Sequence, residues 1–102
     1  MTRRYLVELL RSAERELESL PRAAQRTVAH AIDSLANDAR PDGAKLLSGT
    51  GREHIWRLDV GDYRVLYQIE DDRLLILVVR VADRREAYRQ TEMKRLLKRL
   101  GK

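Results

Sequence analysis

Residues 54–69 read HIWRLDVGDYRVLYQI, and this stretch decides the fold. Apolar and polar side chains alternate on both sides of Gly61-Asp62, and a period of two is typical of strands with one buried face. A Gly-Asp pair between two such runs predicts a tight reversal, so the stretch is a β-hairpin. One face of this hairpin carries His54, Trp56, Leu58, Val60, Tyr63, Val65, Tyr67 and Ile69; the other carries Ile55, Arg57, Asp59, Arg64, Leu66 and Gln68.

Further strands are predicted before and after the hairpin. Downstream, Asp71-Asp72 predicts a turn, and the unbroken apolar run from Leu74 to Val79 predicts a central strand buried on both faces. Near the start of the chain, the alternation over Tyr5–Leu9 predicts a short strand. Residues 45–47 and the glycine-containing loop 49–51 lead into the hairpin, and we expect no strand there.

Two helices are predicted between the first strand and the hairpin. Ser12 has the side chain of an N-cap, and Pro21, which a first turn tolerates, opens a second helix that runs to about Asn37. The Arg-Pro-Asp-Gly turn over residues 40–43 follows the helices. Their apolar faces consist of Ala13, Leu17 and Leu20 in the first helix and Ala24, Val28, Ala31, Ile32 and Leu35 in the second.

The C-terminal segment predicts a basic amphipathic helix, because Met93, Leu96, Leu97 and Leu100 recur at helical spacing among lysines and arginines. We therefore expect one α+β domain over residues 1–102, in the order β-α-α-β-β-β-α. Its sheet is mostly antiparallel and twisted, with the helical hairpin on one face.

Charge and composition restrict the function. The 21 basic and 16 acidic residues leave a net charge of +5 and a pI of about 10.0, which favours polyanionic partners. The excess lies at the C-terminal end, where residues 84–102 hold 8 basic and 2 acidic side chains. With no cysteine and 2 histidines, metal ligands are scarce, so we expect no metal or other cofactor. The apolar run near the start is too short for a signal or membrane segment, so we expect a cytoplasmic protein.

The polar face of the hairpin holds the candidate chemistry, since Arg57, Asp59 and Arg64 share it. Arg84 and Arg85 follow the central strand and, with Tyr88, can reach the rim of the same surface. Guanidinium groups bind phosphate oxygens bidentately, and a phenol can donate a proton or stack on a base. The alternative is an ordinary solvated sheet face, on which charged residues also alternate with apolar ones.

The aromatic and histidine side chains of the hairpin point to structure rather than chemistry. Trp56 and Tyr67 have the parity of core residues, and His54 shares it, so we expect all three to be structural.

Four segments closely resemble the RelE/ParE toxin superfamily along nearly the whole chain: RPDGAKL at 40–46, WRL at 56–58, VGDYRVLY at 60–67 and RREAYR at 84–89. The resemblance implies the microbial-ribonuclease-like fold of these toxins and a cognate antitoxin as partner. The RelE branch cleaves messenger RNA in the ribosomal A site, whereas the ParE branch inhibits DNA gyrase without nuclease chemistry. This sequence is more similar to the RelE branch.

The resemblance also implies residue roles. Arg57, Arg64, Arg84 and Tyr88 fall where the RelE branch carries its catalytic basic residues and terminal tyrosine, whereas Asp59 stands where that branch often has a second basic residue. Asp83 also departs from the family pattern, because many relatives have histidine at this position. The remaining basic residues expected to bind RNA are Lys45, Arg85 and Arg89.

The hypothesis is a ribosome-dependent mRNA endoribonuclease that needs no metal. The ribose 2′-hydroxyl attacks the adjacent phosphate, Arg64 and Arg84 stabilise the phosphorane, and Arg57 orients it. Tyr88 donates to the leaving 5′-oxygen or stacks on a base, and Asp59 or a ribosomal group takes the proton. The alternatives are a gyrase inhibitor without nuclease activity and an inactive relative that only binds antitoxin. We expect the antitoxin to cover the arginines or to displace the last helix.

Overall fold

The computed structural model describes residues 4–47 and 54–86. In chain order its elements are β1 (Leu6–Leu9), α1 (Arg11–Glu18), α2 (Arg22–Ser34), β2 (Lys45–Leu46), β3 (Trp56–Val60), β4 (Tyr63–Glu70) and β5 (Leu75–Asp83). A 3₁₀ turn, Asp71–Arg73, joins β4 to β5. The predicted C-terminal helix and the loop over 49–51 lie outside the described residues.

The strands form one five-stranded sheet in the order β1-β5-β4-β3-β2. β1 runs parallel to β5, and every other neighbouring pair is antiparallel, so the prediction of a mostly antiparallel α+β fold is confirmed. Strand β2 was not predicted, because two residues are too short to show a period of two. It places Lys45 directly opposite Arg57.

The hairpin is confirmed, with Val60 paired to Tyr63 across a two-residue reversal. Gly61, the first residue of that reversal, has φ of +58°, which a residue without Cβ adopts at little cost. The prediction for His54 was wrong: it precedes β3 with φ of 46° and is exposed rather than inward-facing. The next residue, Ile55, is fully buried.

The helix boundaries differ from the predicted ones. The residue that caps α1 is Leu10, so Ser12 lies within the first turn rather than at the N-cap. The residue that caps α2 is Pro21, and the helix ends at Ser34 instead of about Asn37. After Ser34 the chain continues in tight turns, and the Ala36 carbonyl accepts a hydrogen bond from the backbone of Tyr5, which ties the helix end to the start of β1.

The main core lies between the helices and the sheet, as the parity of the hairpin predicted. Burial of this apolar layer is the chief source of stability. The helical layer contributes Ala13, Val28, Ile32 and, directly after α2, Leu35. The sheet contributes Leu58, Val65, Tyr67, Ile76, Val78 and Val81. A smaller cluster of Ile55, Leu66 and Val79 lies on the other face of the sheet.

A β-bulge changes the facing of side chains along β5. Leu66 pairs with Arg80 and Tyr67 pairs with Val78, so Val79 is the extra residue. Val78 and Val81 therefore both face the helices, while Val79 belongs to the cluster on the opposite face. The backbone N–H of Val81 donates to the carboxylate of Glu16 on α1 at 2.9 Å, which fixes the helix against the irregular strand.

Candidate functional site

Basic side chains gather on the sheet face opposite the helices. The strand register places Lys45 beside Arg57, Arg57 beside Leu66, and Leu66 beside Arg80, which makes one row across four strands. The next row pairs Asp59 with Arg64. This surface is called the arginine face below, and it consists of Lys45, Arg57, Asp59, Arg64 and Arg80.

The carboxylate of Asp59 joins the two arginines of the hairpin. Its Oδ1 lies 3.0 Å from Nε of Arg57 and 3.0 Å from Nε of Arg64. The two arginine side chains are 23% and 17% exposed, and that of Asp59 is 40% exposed. The structure thus brings these three predicted residues together, with both guanidinium groups converging on a single anionic oxygen.

Arg64 is held from a second direction as well. Its Nη1 donates to the carbonyl oxygens of Gly61 and Tyr63, each at 3.0 Å. These two bonds fix one end of the guanidinium over the hairpin reversal. The Nε on the other side of the same guanidinium lies 3.0 Å from Oδ1 of Asp59.

The sequence reasoning missed Arg80. Among the residues that the structure describes, it is the only buried charged side chain, at 8% exposure. Its Nη2 donates to the Glu86 carbonyl at 3.1 Å, which ties β5 to the segment that follows it. Strict alternation would place it on the helix face with Val78, and only the bulge moves it to the arginine face. An arginine directly after an apolar run was the available signal.

Arg84 and Arg85 directly follow β5, and both are exposed. The backbone N–H of Arg84 donates to the Asp62 carbonyl at 2.8 Å, so this residue sits beside the hairpin reversal. The carboxylate of Asp83 accepts from the Arg85 backbone N–H at 2.8 Å and shapes the turn. A shallow depression of about 230 Å³ is lined by Asp62, Tyr63, Asp83, Arg84 and Arg85. Tyr88 and Arg89 lie outside the described residues.

A second polar cluster lies at the other end of β4. Asp71 accepts a hydrogen bond from the Tyr5 hydroxyl at 2.6 Å and pairs with Arg40 at 2.9 Å. The guanidinium of Arg40 also stacks over Trp56, 5.2 Å from the ring centre. The bond to Asp71 raises the pKa of the Tyr5 hydroxyl and, on the other partner, raises the pKa of Arg40. This cluster follows the end of β4 that is remote from the hairpin reversal.

Within 4–47 and 54–86, no group of three or more His, Cys, Asp or Glu side chains is arranged to hold a metal ion. No helix in that part of the chain is both long and apolar enough to cross a membrane.

The family model for the ParE toxin of type II toxin–antitoxin systems, parDE, matches residues 7–88, which covers the hairpin and both rows of the arginine face. The chain belongs to this toxin family. The resemblance to the RelE/ParE superfamily that the motifs predicted is therefore confirmed. No curated protein matches the sequence at a significant level.

Solved structures similar to this toxin include RelE proteins. It is 30% identical to a chain of the archaeal RelE–RelB complex from Pyrococcus horikoshii OT3, over 85% of this chain and 100% of that one, with a TM-score of 0.70. The RelBE2 toxin–antitoxin complex of Mycobacterium tuberculosis gives 28% identity, 82% and 95% coverage and a TM-score of 0.69. The isolated Escherichia coli RelE toxin, at 19% identity, 94% and 98% coverage and a TM-score of 0.66, shares the fold.

Proposed function

We propose that this toxin is a ribosome-dependent mRNA endoribonuclease whose arginine face binds the scissile phosphodiester. One observation carries the proposal: the Nε atoms of Arg57 and Arg64, on adjacent strands, each lie 3.0 Å from the same anionic oxygen. Two guanidinium groups that converge on one carboxylate oxygen have the spacing to grip a phosphate. Lys45 and Arg80 add positive charge on the same face.

The reaction is transesterification within the RNA. The ribose 2′-oxygen attacks the adjacent phosphorus, the bond to the 5′-oxygen breaks, and the products are a 2′,3′-cyclic phosphate and a 5′-hydroxyl end. Arg64 and Arg84 stabilise the charge that develops on the phosphorane oxygens, an effect of about 3–4 kcal/mol per well-placed donor. Arg57 orients the phosphate before attack.

Two proton transfers complete the scheme. The 2′-proton goes to Asp59 or to a ribosomal group, since arginine stays protonated and is a poor base. Tyr88 gives a proton to the leaving 5′-oxygen or stacks on a base. In the toxin alone Asp59 is ion-paired with both arginines, so it can accept a proton only after the substrate has changed that arrangement.

The remaining basic residues serve binding. Lys45, Arg85 and Arg89 contact backbone phosphates along the mRNA, which makes the affinity depend steeply on salt. A cognate antitoxin neutralises the toxin by covering the arginine face or displacing the helix predicted for the C-terminal segment. The names of the structural relatives support such a partner, since they describe RelE bound to RelB and a RelBE2 complex. Ribosomes as the site of action imply a cytoplasmic protein.

The test is to map RNA 3′ ends in a translating extract with purified toxin. Discrete cuts within codons are expected, and Arg57→Gln and Arg64→Gln should reduce the cleavage rate about 100-fold or more. The matched control is Arg73→Gln, because Arg73 carries the same charge but is 73% exposed and pairs with Glu70 near the far end of β4. Arg73→Gln and the wild type should cleave the RNA at similar rates. Uncut RNA, or equal loss in all three variants, would contradict the proposal.

A specific observation also favours gyrase inhibition as a second candidate. The family model that matches is that of ParE, and Arg57 and Arg64 are engaged by Asp59 in the structure. This alternative predicts intact RNA in the extract and accumulation of cleaved DNA in a reaction with purified gyrase. A toxin that produces neither effect and no growth arrest is the inactive relative.

A further inference from the structure

The arginine face already holds an anion of its own. Asp59 Oδ1 lies on the Nε side of Arg64, and the opposite end of that guanidinium, Nη1, is bonded to two backbone carbonyls. The Nε side is one of the edges at which a guanidinium binds phosphate bidentately. The Nε of Arg57 lies 3.0 Å from the same oxygen. The carboxylate therefore occupies the place where a phosphate oxygen would meet both groups.

We propose that Asp59 is an intramolecular competitor that RNA must displace before the arginine face can bind it. This inference rests on the proposed function in one respect only, that the anion received there is an RNA phosphate. Weak binding by the toxin alone follows directly, because every phosphate competes with a carboxylate that is permanently at hand. A ribosome that holds the mRNA in place supplies the high local phosphate concentration that the exchange needs.

The burial of the three side chains makes the exchange feasible. Asp59 is 40% exposed, so its carboxylate can turn into water without being stranded in the interior. The arginines are less exposed, at 23% and 17%, and Arg64 keeps its bonds to the Gly61 and Tyr63 carbonyls when the carboxylate leaves. The anion moves while the cations stay fixed, so the site needs little rearrangement to receive phosphate.

The experiment measures binding without cleavage and without ribosomes. The probe is a fluorescein-labelled single-stranded DNA hexamer, which has the phosphodiesters of RNA but lacks the attacking 2′-hydroxyl. Asp59→Asn should bind it about tenfold more tightly than the wild type at low salt, as expected for removing a competitor held by two partly buried ion pairs. Asp62→Asn is the matched control, since it makes the same charge change three residues away, at the exposed reversal.

The control should change affinity by less than about twofold. Equal gains for Asp59→Asn and Asp62→Asn would overturn the inference, because net charge alone would then explain the effect. A mutant cycle adds a second criterion: the gain from Asp59→Asn should be clearly smaller when Arg57→Gln is also present, because only the pair with Arg64 then remains to be broken. A gain that persists unchanged in that background would show that the competition does not involve Arg57.

Folding and function are controlled separately. Thermal unfolding of Asp59→Asn checks that the variant folds. Asp59→Ser provides a second variant that lacks the negative charge. If both variants fold and neither binds the probe more tightly than the wild type, the inference is overturned. If the variants bind more tightly but wild-type toxin cuts no RNA in translating extract, the competitor role stands and the nuclease proposal fails. If the wild type cuts RNA but neither variant gains affinity, the nuclease proposal stands and the competitor role fails.

Discussion

Tyr67 ties the loop after α2 to the middle of the sheet, and its removal gives a sharp test of how the core is built. Its side chain is fully buried, and its hydroxyl donates to the Ala39 carbonyl at 2.9 Å. Ala39 is itself only 5% exposed, so water cannot readily replace the phenol. Burial raises the pKa of Tyr67 to about 12.

Tyr67→Phe keeps the ring and removes this bond. It leaves a buried carbonyl without its donor, and such a loss costs about 1–2 kcal/mol. For a domain of this size each kcal/mol lowers Tm by roughly 4–8 °C. The variant should therefore unfold clearly below the wild type at pH 8.

The difference between the two proteins should also depend on pH. The pKa is raised in the folded state, so the native protein holds the phenol proton more tightly than the unfolded chain does. This contribution is fully present below about pH 10, the ordinary value, and is lost as pH rises toward 12. At pH 11 the wild type should have lost about 1.4 kcal/mol that phenylalanine, which does not titrate, cannot lose.

The assay is urea unfolding of wild type and Tyr67→Phe at pH 8, 9, 10 and 11. All other groups titrate alike in both proteins, so the difference in unfolding free energy isolates Tyr67. The gap should shrink by about 1.4 kcal/mol between pH 8 and 11. A gap that stays constant, or a variant as stable as the wild type at pH 8, would refute the account of Tyr67.

Three further predictions concern stability. Leu66→Ala, in the fully buried cluster on the arginine face, should cost about 2–5 kcal/mol in urea unfolding, and a loss below about 1 kcal/mol would show that the cluster is loosely packed. Gly61→Ala should cost about 1 kcal/mol through its φ of +58° alone, since an added Cβ meets no atom within 4 Å, and Gly61→Asn should cost less. Arg40→Gln should cost less than about 1 kcal/mol, because its pair with Asp71 is 43% and 49% exposed, and the cost should shrink in roughly 1 M NaCl.

The hairpin and its two faces were predictable because a period of two determines side-chain direction wherever strands are regular. Placing Arg57, Asp59 and Arg64 on one face needed only their parity. The ion pairs among them were not predictable, since they depend on side-chain rotamers rather than on the backbone. The sequence offered Asp59 as a base, and the structure adds that its Oδ1 lies 3.0 Å from the Nε atoms of both arginines.

Prediction failed where the backbone departs from regularity or where contacts join distant segments. The bulge in β5 moves Arg80 to the arginine face, and no local signal marks a bulge within a run of valines. Strand β2 exists only because β3 lies beside it. The bond from Tyr5 to Asp71 links residues 66 positions apart, which sequence patterns do not report.

The central claim is that the arginine face grips a phosphodiester, and NMR can locate that contact directly. In a titration of ¹⁵N-arginine-labelled toxin with an RNA hexamer made uncleavable by 2′-deoxy substitution, the Nε–H signals of Arg57 and Arg64 should shift together with one Kd. The signal of Arg73 should stay in place, since Arg73 follows the far end of β4, and the strand from Arg64 to that end is roughly 20 Å long. A shift confined to Arg73, with Arg57 and Arg64 unmoved at saturating RNA, would contradict the claim.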